Sequence, residues 1–214
     1  MCIDQIFTLR QIIEKCVAGN ANIIINFIDF QKAFNSVQRT VVWSILAHYG
    51  IPEKIIGIIK GMYKESRCTV RVEGRIGEWF QIVTGVRQGC ILSPMLFLLT
   101  IDWVMRRSTE KGIWGLPGLE WKGNERLADL DFADDIALLE DSWEGMNELT
   151  GRVEKEAGLV GLRINTAKTK IMKVGIWESR EDVTVGEEVL EEEEDFCYLG
   201  SVIANNGSCD RDQS

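Results

Sequence analysis

The sequence contains a single histidine, His48. Zinc sites draw on imidazole and thiolate, and nucleophilic triads need an imidazole base, so both chemistries lack their usual parts. His48 lies in the helical stretch Val41 to Tyr49 and reads as a surface or packed helix residue. The six cysteines, Cys2, Cys16, Cys68, Cys90, Cys197 and Cys209, form no C-x-x-C pair, and several lie inside apolar runs. That spacing predicts reduced thiols in an intracellular protein. Long apolar runs are also missing. The longest, Met95 to Ile101, is too short to span a bilayer and follows Ser93-Pro94, so it predicts a buried helix. Residues Met1 to Gln5 carry neither a basic region nor a small-residue cleavage site, which leaves secretion unsupported. A basic excess is absent as well: the net charge is −9. Nucleic-acid binding normally draws on a basic surface, so this charge argues against simple electrostatic binding. Part of the negative charge is local, in Glu187-Glu188 and Glu191 to Asp195, while basic residues bunch at Arg67/Arg71/Arg75, Arg106/Arg107 and Lys168/Lys170/Lys173.

What is present is a core. At 214 residues and 45% hydrophobic content, the chain can bury one sizeable core, or a compact core with a smaller lobe. Its organising stretch is Leu127 to Glu140, in which two apolar runs meet at adjacent carboxylates. Phe132-Ala133-Asp134-Asp135 leaves room for a tight reversal, which predicts a β-hairpin presenting Asp134 and Asp135 at its tip. Two anions side by side repel, and a cation between them relieves the cost. A solvated acidic turn is the plainer alternative on this stretch alone. An EF-hand loop fits less well, because the central Gly and the closing Glu are not at their offsets. A further carboxylate, Asp29, ends the β-forming run Ile23 to Phe30, and strand-end oxygens suit a hard divalent metal.

Together with Gly85-Val86-Arg87-Gln88-Gly89-Cys90-Ile91-Leu92-Ser93-Pro94, these two stretches resemble the palm of a reverse transcriptase of the non-LTR (LINE-type) retrotransposon family, in the same order and spacing. Two further stretches join them. Gly161-Leu162-Arg163-Ile164-Asn165 with Lys168-Thr169-Lys170 resembles the family's Gly-Leu-x-x-Asn motif followed by Lys-Thr-Lys, and Phe196 to Gly200 resembles its primer grip. The resemblance implies RNA-directed DNA polymerisation, with two Mg²⁺ ions (Mn²⁺ as substitute) held by Asp29, Asp134 and Asp135. Asp29 and Asp134 would bridge the ions, with Asp135 the weaker or outer ligand. It further implies that Phe30, Phe34, Arg87, Gln88 and Gly89 bind the incoming nucleotide, with Phe34 as the steric gate against a ribose 2′-hydroxyl. Lys168 would be the general acid for the leaving pyrophosphate, Lys170 the second choice, and Tyr198, Leu199 and Gly200 the primer grip. The implied partners are an RNA template, a DNA primer, dNTPs and the rest of a retrotransposon polyprotein, including fingers, thumb and endonuclease. One departure stands out: Asn35 occupies a position where the family usually has Asp, which removes a charge beside the site and implies tuning or local capping effects.

Residue by residue, plainer readings remain. Phe34 has the look of an ordinary core aromatic, Gln88 of a surface residue, and Arg67, Arg71 and Arg75 of a solvated strand face as much as a phosphate contact. Helices are predicted over Asp4 to Val17, Thr40 to Tyr49, Pro52 to Tyr63, Ser93 to about Lys111 with Ser93 as N-cap, and beyond an Asp141-Ser142-Trp143-Glu144 capping box with Asp141 as cap. Met146, Leu149, Val153 and Ala157 form a core stripe on the last of these. A hairpin is predicted around Glu73 to Gly77, and Ile113 to Asn124 reads as a connector whose Trp114 and Trp121 cover a core edge.

The β-α-β-β-α-β order predicts an α+β fold: a polymerase right-hand palm with a ferredoxin-like core and partial fingers, the thumb absent. The expected division is a partial reverse transcriptase domain over 1–205, with 23–35 and 85–205 as palm, 1–22 and 36–84 as fingers and connecting elements, and 206–214 as a tail. The chain alone is expected to extend primers poorly. A rival reading keeps the ancestry but not the activity: a catalytically idle remnant serving as an interaction or nucleic-acid-binding module. An active element would work in the nucleus.

Overall fold

The structure is a computed structural model that describes residues 2–110, 112, 115–122, 125–178 and 181–208, so Cys209, Trp114 and the side chain of Trp121 lie outside the described residues. The chain begins with α1 (Cys2–Gly19), which stops where Asn20 takes a left-handed φ of 51°, and then enters β1 (Ile23–Ile28). Every residue of β1 is buried. An unbroken Ile-Ile-Ile-Asn-Phe-Ile run suits that position, because β-branched side chains pack well on a sheet covered on both faces. Helices α2 (Ala33–Ser36), α3 (Arg39–His48) and α4 (Glu53–Tyr63) follow. Gly50, at φ 79°, makes the break between α3 and α4, and Pro52 caps α4.

A solvent-exposed arm comes next: β2 (Arg67–Cys68), β3 (Arg71–Val72), β4 (Arg75–Ile76) and β5 (Phe80–Gln81). Its reversal is shorter than expected. Glu73 and Gly74, both at positive φ, make a two-residue turn, and the chain is already back in strand at Arg75. Helix α5 (Ser93–Ser108) then carries Leu96, Phe97, Thr100, Ile101, Val104 and Met105 into the core. Two of its ends differ from expectation. Leu92 stands at the N-cap, one residue early, because the Ser93 hydroxyl is engaged with the Tyr63 hydroxyl at 3.1 Å. The helix also stops at Ser108, before Lys111, where the Ser108 and Thr109 hydroxyls fold back onto the carbonyls of Val104 and Met105.

The expected connector contains a hairpin of its own, β6 (Leu119–Lys122) with β7 (Glu125–Leu127). The predicted strand from Leu127 is accordingly split at Ala128, and β8 (Asp129–Phe132) turns tightly into β9 (Asp135–Glu140). After it, α6 (Trp143–Leu159) is capped by Ser142, whose hydroxyl accepts from Gly145 N at 3.2 Å. The cap is therefore not Asp141, which reaches Arg126 at 3.3 Å instead. The core stripe on α6 is as predicted, with Met146, Leu149, Val153 and Ala157 all buried. The chain closes through β10 (Lys170–Val174), β11 (Thr184–Val185), β12 (Glu188–Val189), β13 (Glu191–Glu192), β14 (Asp195–Tyr198) and β15 (Ser201–Ala204).

The central sheet has the order β13-β10-β1-β9-β8, antiparallel except that β13 joins β10 in parallel. Without β13, this is the ferredoxin-like arrangement that the β-α-β-β-α-β order predicts. Because alternate residues face opposite sides, Ile24, Ile28, Ile136, Leu138 and Ile171 join helices α3 to α6 in one core cluster, while Ile23, Ile25, Phe27, Leu130, Ala137 and Leu139 meet α1, Tyr198 and Ile203 in the other. Helix α1 thus backs the central sheet directly. The acidic segment has a place as well. Glu191 and Glu192 lie in β13 along the sheet edge, where Glu191 pairs with Lys170 and Glu192 with Lys173, the latter at 2.7 Å. Two of the three bunched lysines thus neutralise the edge strand.

No helix among the described residues is long and apolar enough to cross a membrane. The five described cysteines are free. His48 is exposed and makes an edge-on contact with Trp103, with ring centroids 4.6 Å apart.

Candidate active site

Strand register builds the centre of the site. The last β1–β9 pair is Ile28 with Ile136, and the next residues outward are Asp29 on one side and Asp135 on the other. Phe132 pairs with Asp135 across the hairpin, so the turn consists of Ala133 and Asp134, with Ala133 at φ 60°. A two-residue reversal of this kind needs left-handed backbone, and Ala133 adopts it without a glycine, a strained choice at the tip of a hairpin.

Asp29 and Asp135 line one cavity of about 390 Å³ together with Lys168, Lys170, Phe196, Cys197 and Tyr198. Asp134 is half-buried in the turn and does not line this cavity. Asp135, expected as the outer ligand, is the residue that the register sets opposite Asp29. The Asp135 carboxyl is pushed above its ordinary range by burial first and then by the charges of Asp134 and Asp29. A nearby cation relieves such repulsion, and a hard divalent ion accepts oxygen donors of this kind. Among the described residues, no group of three or more His, Cys, Asp or Glu side chains is arranged to hold a metal.

The Asp29 segment is anchored on the far side by the residues after α6. Phe30 bridges to Ile164, Gln31 N donates to Arg163 O at 2.8 Å, and Asn165 N donates to Asp29 O at 2.8 Å. Phe30 is consequently a core residue, 5% exposed, and lines no nucleotide cavity. Its side chain is therefore held in the core and not among those lining the cavity of Phe34 and Gln88. Asn165 was not among the expected site residues, although it stood in the Gly-Leu-x-x-Asn motif. Its side-chain amide donates to Asp29 Oδ2 at 3.0 Å.

A second cavity, about 520 Å³, is lined by Phe34, Arg87, Gln88, Gly89, Cys90, Ile91, Ser93 and Pro94. Here the expected nucleotide residues other than Phe30 come together. Gly85 brings them there: its N donates to Val37 O and the next amide, Val86 N, to Phe34 O, both at 2.7 Å. At φ 73°, with a would-be Cβ only 2.6 Å from the Asn35 backbone, Gly85 cannot be replaced without moving the chain. Gln88 and Gly89 are exposed, and Gly89 takes φ 80°. Phe34 lines the cavity and also stacks on Phe97, with centroids 4.3 Å apart, so the ring is at once a core partner and part of the cavity wall. Arg87 is steadied by Ser66 Oγ at 3.0 Å and lies over the Tyr63 ring.

The primer-grip stretch forms the β14–β15 hairpin, whose turn is Leu199 and Gly200, both at positive φ. Tyr198 is buried, and its hydroxyl donates to Leu130 O at 3.0 Å, while Phe196 stacks on Phe27. Tyr198 therefore joins this hairpin to the one carrying Asp134 and Asp135; at the tip, Leu199 packs partly against the core on the α1 side and Gly200 is exposed.

Comparison with known proteins decides the family. The sequence profile described as reverse transcriptase (RNA-dependent DNA polymerase) matches residues 3–203. The chain belongs to the reverse transcriptase family. It is similar to the retrovirus-related Pol polyprotein from type-1 retrotransposable element R2 of Nasonia vitripennis, at 30% identity over 86% of this chain and 18% of that protein. The corresponding polyprotein of element R2DM from Drosophila melanogaster is 29% identical over 66% of this chain and 13% of its own length. The chain thus spans less than a fifth of these curated relatives. In three dimensions, the fold is similar to apo telomerase from Candida tropicalis truncated from its C-terminal domain, with a TM-score of 0.67 at 15% identity, covering 95% of this chain and 38% of that one. The right-hand polymerase fold and the resemblance to retrotransposon reverse transcriptases both stand. Enzymes of the family use divalent metals.

Proposed function

We propose that this reverse transcriptase domain carries out RNA-directed DNA polymerisation with Mg²⁺, joining dNTPs to a DNA primer on an RNA template as part of a longer retrotransposon polyprotein acting in the nucleus. The observation that carries the reading is the meeting of Asp29, Asp135 and Lys168 at one cavity, beside Asp134 on the adjoining turn. Two divalent ions bound there would supply activation of the primer 3′-hydroxyl and charge neutralisation at the phosphates. The protein's part is positioning, on which phosphoryl transfer depends heavily. Asp29 and Asp135 present anionic oxygens from strand ends held by a packed sheet, and Asp134 from the turn between β8 and β9. Lys168, exposed on the 165–169 turn, carries a proton to the leaving pyrophosphate. Phe34, Arg87, Gln88 and Gly89 receive the nucleotide at the second cavity, and the ring of Phe34 limits room at the sugar.

A second reading, a catalytically idle interaction module, is favoured by one observation. The 67–83 arm exposes Val70, Val72, Ile76, Trp79, Phe80, Ile82 and Val83, an apolar surface more typical of a contact than of a solvated loop. Primer extension on an RNA template with Mg²⁺ separates the two, using the chain within its polyprotein. The polymerase reading expects extension that Asp29→Asn or Asp134→Asn abolishes, since an amide supplies no anionic oxygen. Extension that survives both substitutions would refute the site, and its absence from the native polyprotein would favour the interaction module.

A further inference from the structure

We infer that Asn165 is a positioning residue for Asp29, fixing its carboxylate toward the cavity and tying it to the turn that bears Lys168; the inference rests on the polymerase reading above. Asp29 is held at three points by the two ends of a single turn. Its carbonyl accepts from Asn165 N at 2.8 Å, its own N donates to Thr169 Oγ1 at 3.2 Å, and its Oδ2 accepts from Asn165 Nδ2 at 3.0 Å. Thr169 is fully buried, so its hydroxyl is a fixed point. The turn is closed on itself by Lys168 N and Thr169 N, which donate to Asn165 O at 3.0 and 2.8 Å. Lys168 lies between the two anchors and lines the same cavity as Asp29.

The chemistry of the amide matters. A side chain gripping a metal-binding carboxylate has to donate a hydrogen bond without bringing a charge of its own. A lysine there would compete with the cation, and an aspartate would have no proton to give at neutral pH. Asn supplies a neutral N–H, and it occupies Oδ2 while leaving Oδ1 without a hydrogen-bond partner among the described residues. The backbone bonds place the Asp29 main chain, and the amide bond selects the rotamer. Partners of this kind, one shell outside the metal, are worth roughly 10–100-fold in metal affinity or activity.

The test is Mn²⁺ binding to the chain, followed by electron paramagnetic resonance, so that it does not depend on turnover. Native chain, Asn165→Ala, Asn165→Leu and Asp29→Asn are compared, together with the two double variants that combine each Asn165 change with Asp29→Asn. The leucine side chain keeps nearly the native volume without a donor. Expected are Mn²⁺ affinities lowered about 10–100-fold in both Asn165 variants, and no further loss when either is added to Asp29→Asn. A residue that merely shapes the turn would lower thermal stability and leave Mn²⁺ affinity unchanged, which overturns the inference. Loss of fold in both Asn165 variants also overturns it, because Asn165 would then be structural. Native binding that Asp29→Asn does not weaken would overturn the polymerase reading of Asp29 and this inference with it.

Discussion

Glu140 offers a measurable consequence of the architecture, at the opposite end of β9 from Asp135. Its side chain is almost wholly buried, 3% exposed, beneath the segment that leads into β6. Oε1 accepts from Gly118 N at 2.8 Å, and Oε2 lies close to Gly145 and Ser142 at the start of α6. Burial pushes the carboxyl from 4.5 to about 7; the Asp141 charge adds to the rise, and the Gly118 amide, the Arg126 guanidinium and the Asp141 backbone amide oppose it. The native state therefore holds this proton more tightly than the unfolded chain does. Between the two values the native state carries more protons, so stability falls as pH rises from about 4.5 and the loss is complete above about 7. At 1.36 kcal/mol per pH unit, the full difference is about 3 kcal/mol. Glu140→Gln keeps an acceptor for Gly118 and cannot ionise. Relative to native, the variant should gain about 3 kcal/mol between pH 4 and pH 8, or roughly 6–12 °C in Tm for a chain of this size. The assay is thermal or urea unfolding of both proteins at constant ionic strength. Asp129, whose carboxyl burial raises to about 6, titrates in both proteins and cancels in the comparison. A native-to-variant difference that stays constant from pH 4 to pH 8 would refute the account of Glu140 as a buried, raised carboxyl.

Phe34→Ala should raise the ratio of rNTP to dNTP incorporation, because the ring that lines the nucleotide cavity is removed; an unchanged ratio in single-nucleotide extension would leave Phe34 as the core partner of Phe97 alone. Gly85→Ala should displace the Gln88 loop, through left-handed backbone and contact with Asn35, and raise KM for dNTP; a native KM would mean that the loop's anchoring does not set nucleotide affinity. Replacing Lys170 and Lys173 by Ala should leave affinity for an RNA–DNA duplex nearly unchanged, because both lysines are committed to Glu191 and Glu192. Each of these partly exposed ion pairs is worth about 0–1 kcal/mol of stability, and a large fall in duplex affinity by fluorescence anisotropy would contradict their pairing.

Local pattern was enough to determine the elements that rest on short-range physics. The β-branched run of β1, the apolar stripe of α6 and the break at Gly50 between α3 and α4 are written in side-chain period and backbone chemistry, and the structure has them where the pattern puts them. The motifs around Asp29, Gln88 and Asp134 were equally legible, because each is a contiguous string. Helix ends were less so: Ser93 spends its hydroxyl on Tyr63 and Asp141 turns to Arg126, and a competing long-range partner cannot be read from neighbours in the chain. The same holds for the acidic stretch at Glu191 to Glu193, which composition presents as a block of repulsion and the fold turns into an edge strand against Lys170 and Lys173. Register decided the site itself. A pairing of Ile28 with Ile136 sets Asp135 opposite Asp29, and the bridge from Phe30 to Ile164 delivers Asn165 to the carboxylate and takes Phe30 into the core. Residues 29 and 165 are far apart in the chain, and which of them meet depends on how many residues each strand spends before it turns, a sum over the whole sheet that no single motif contains.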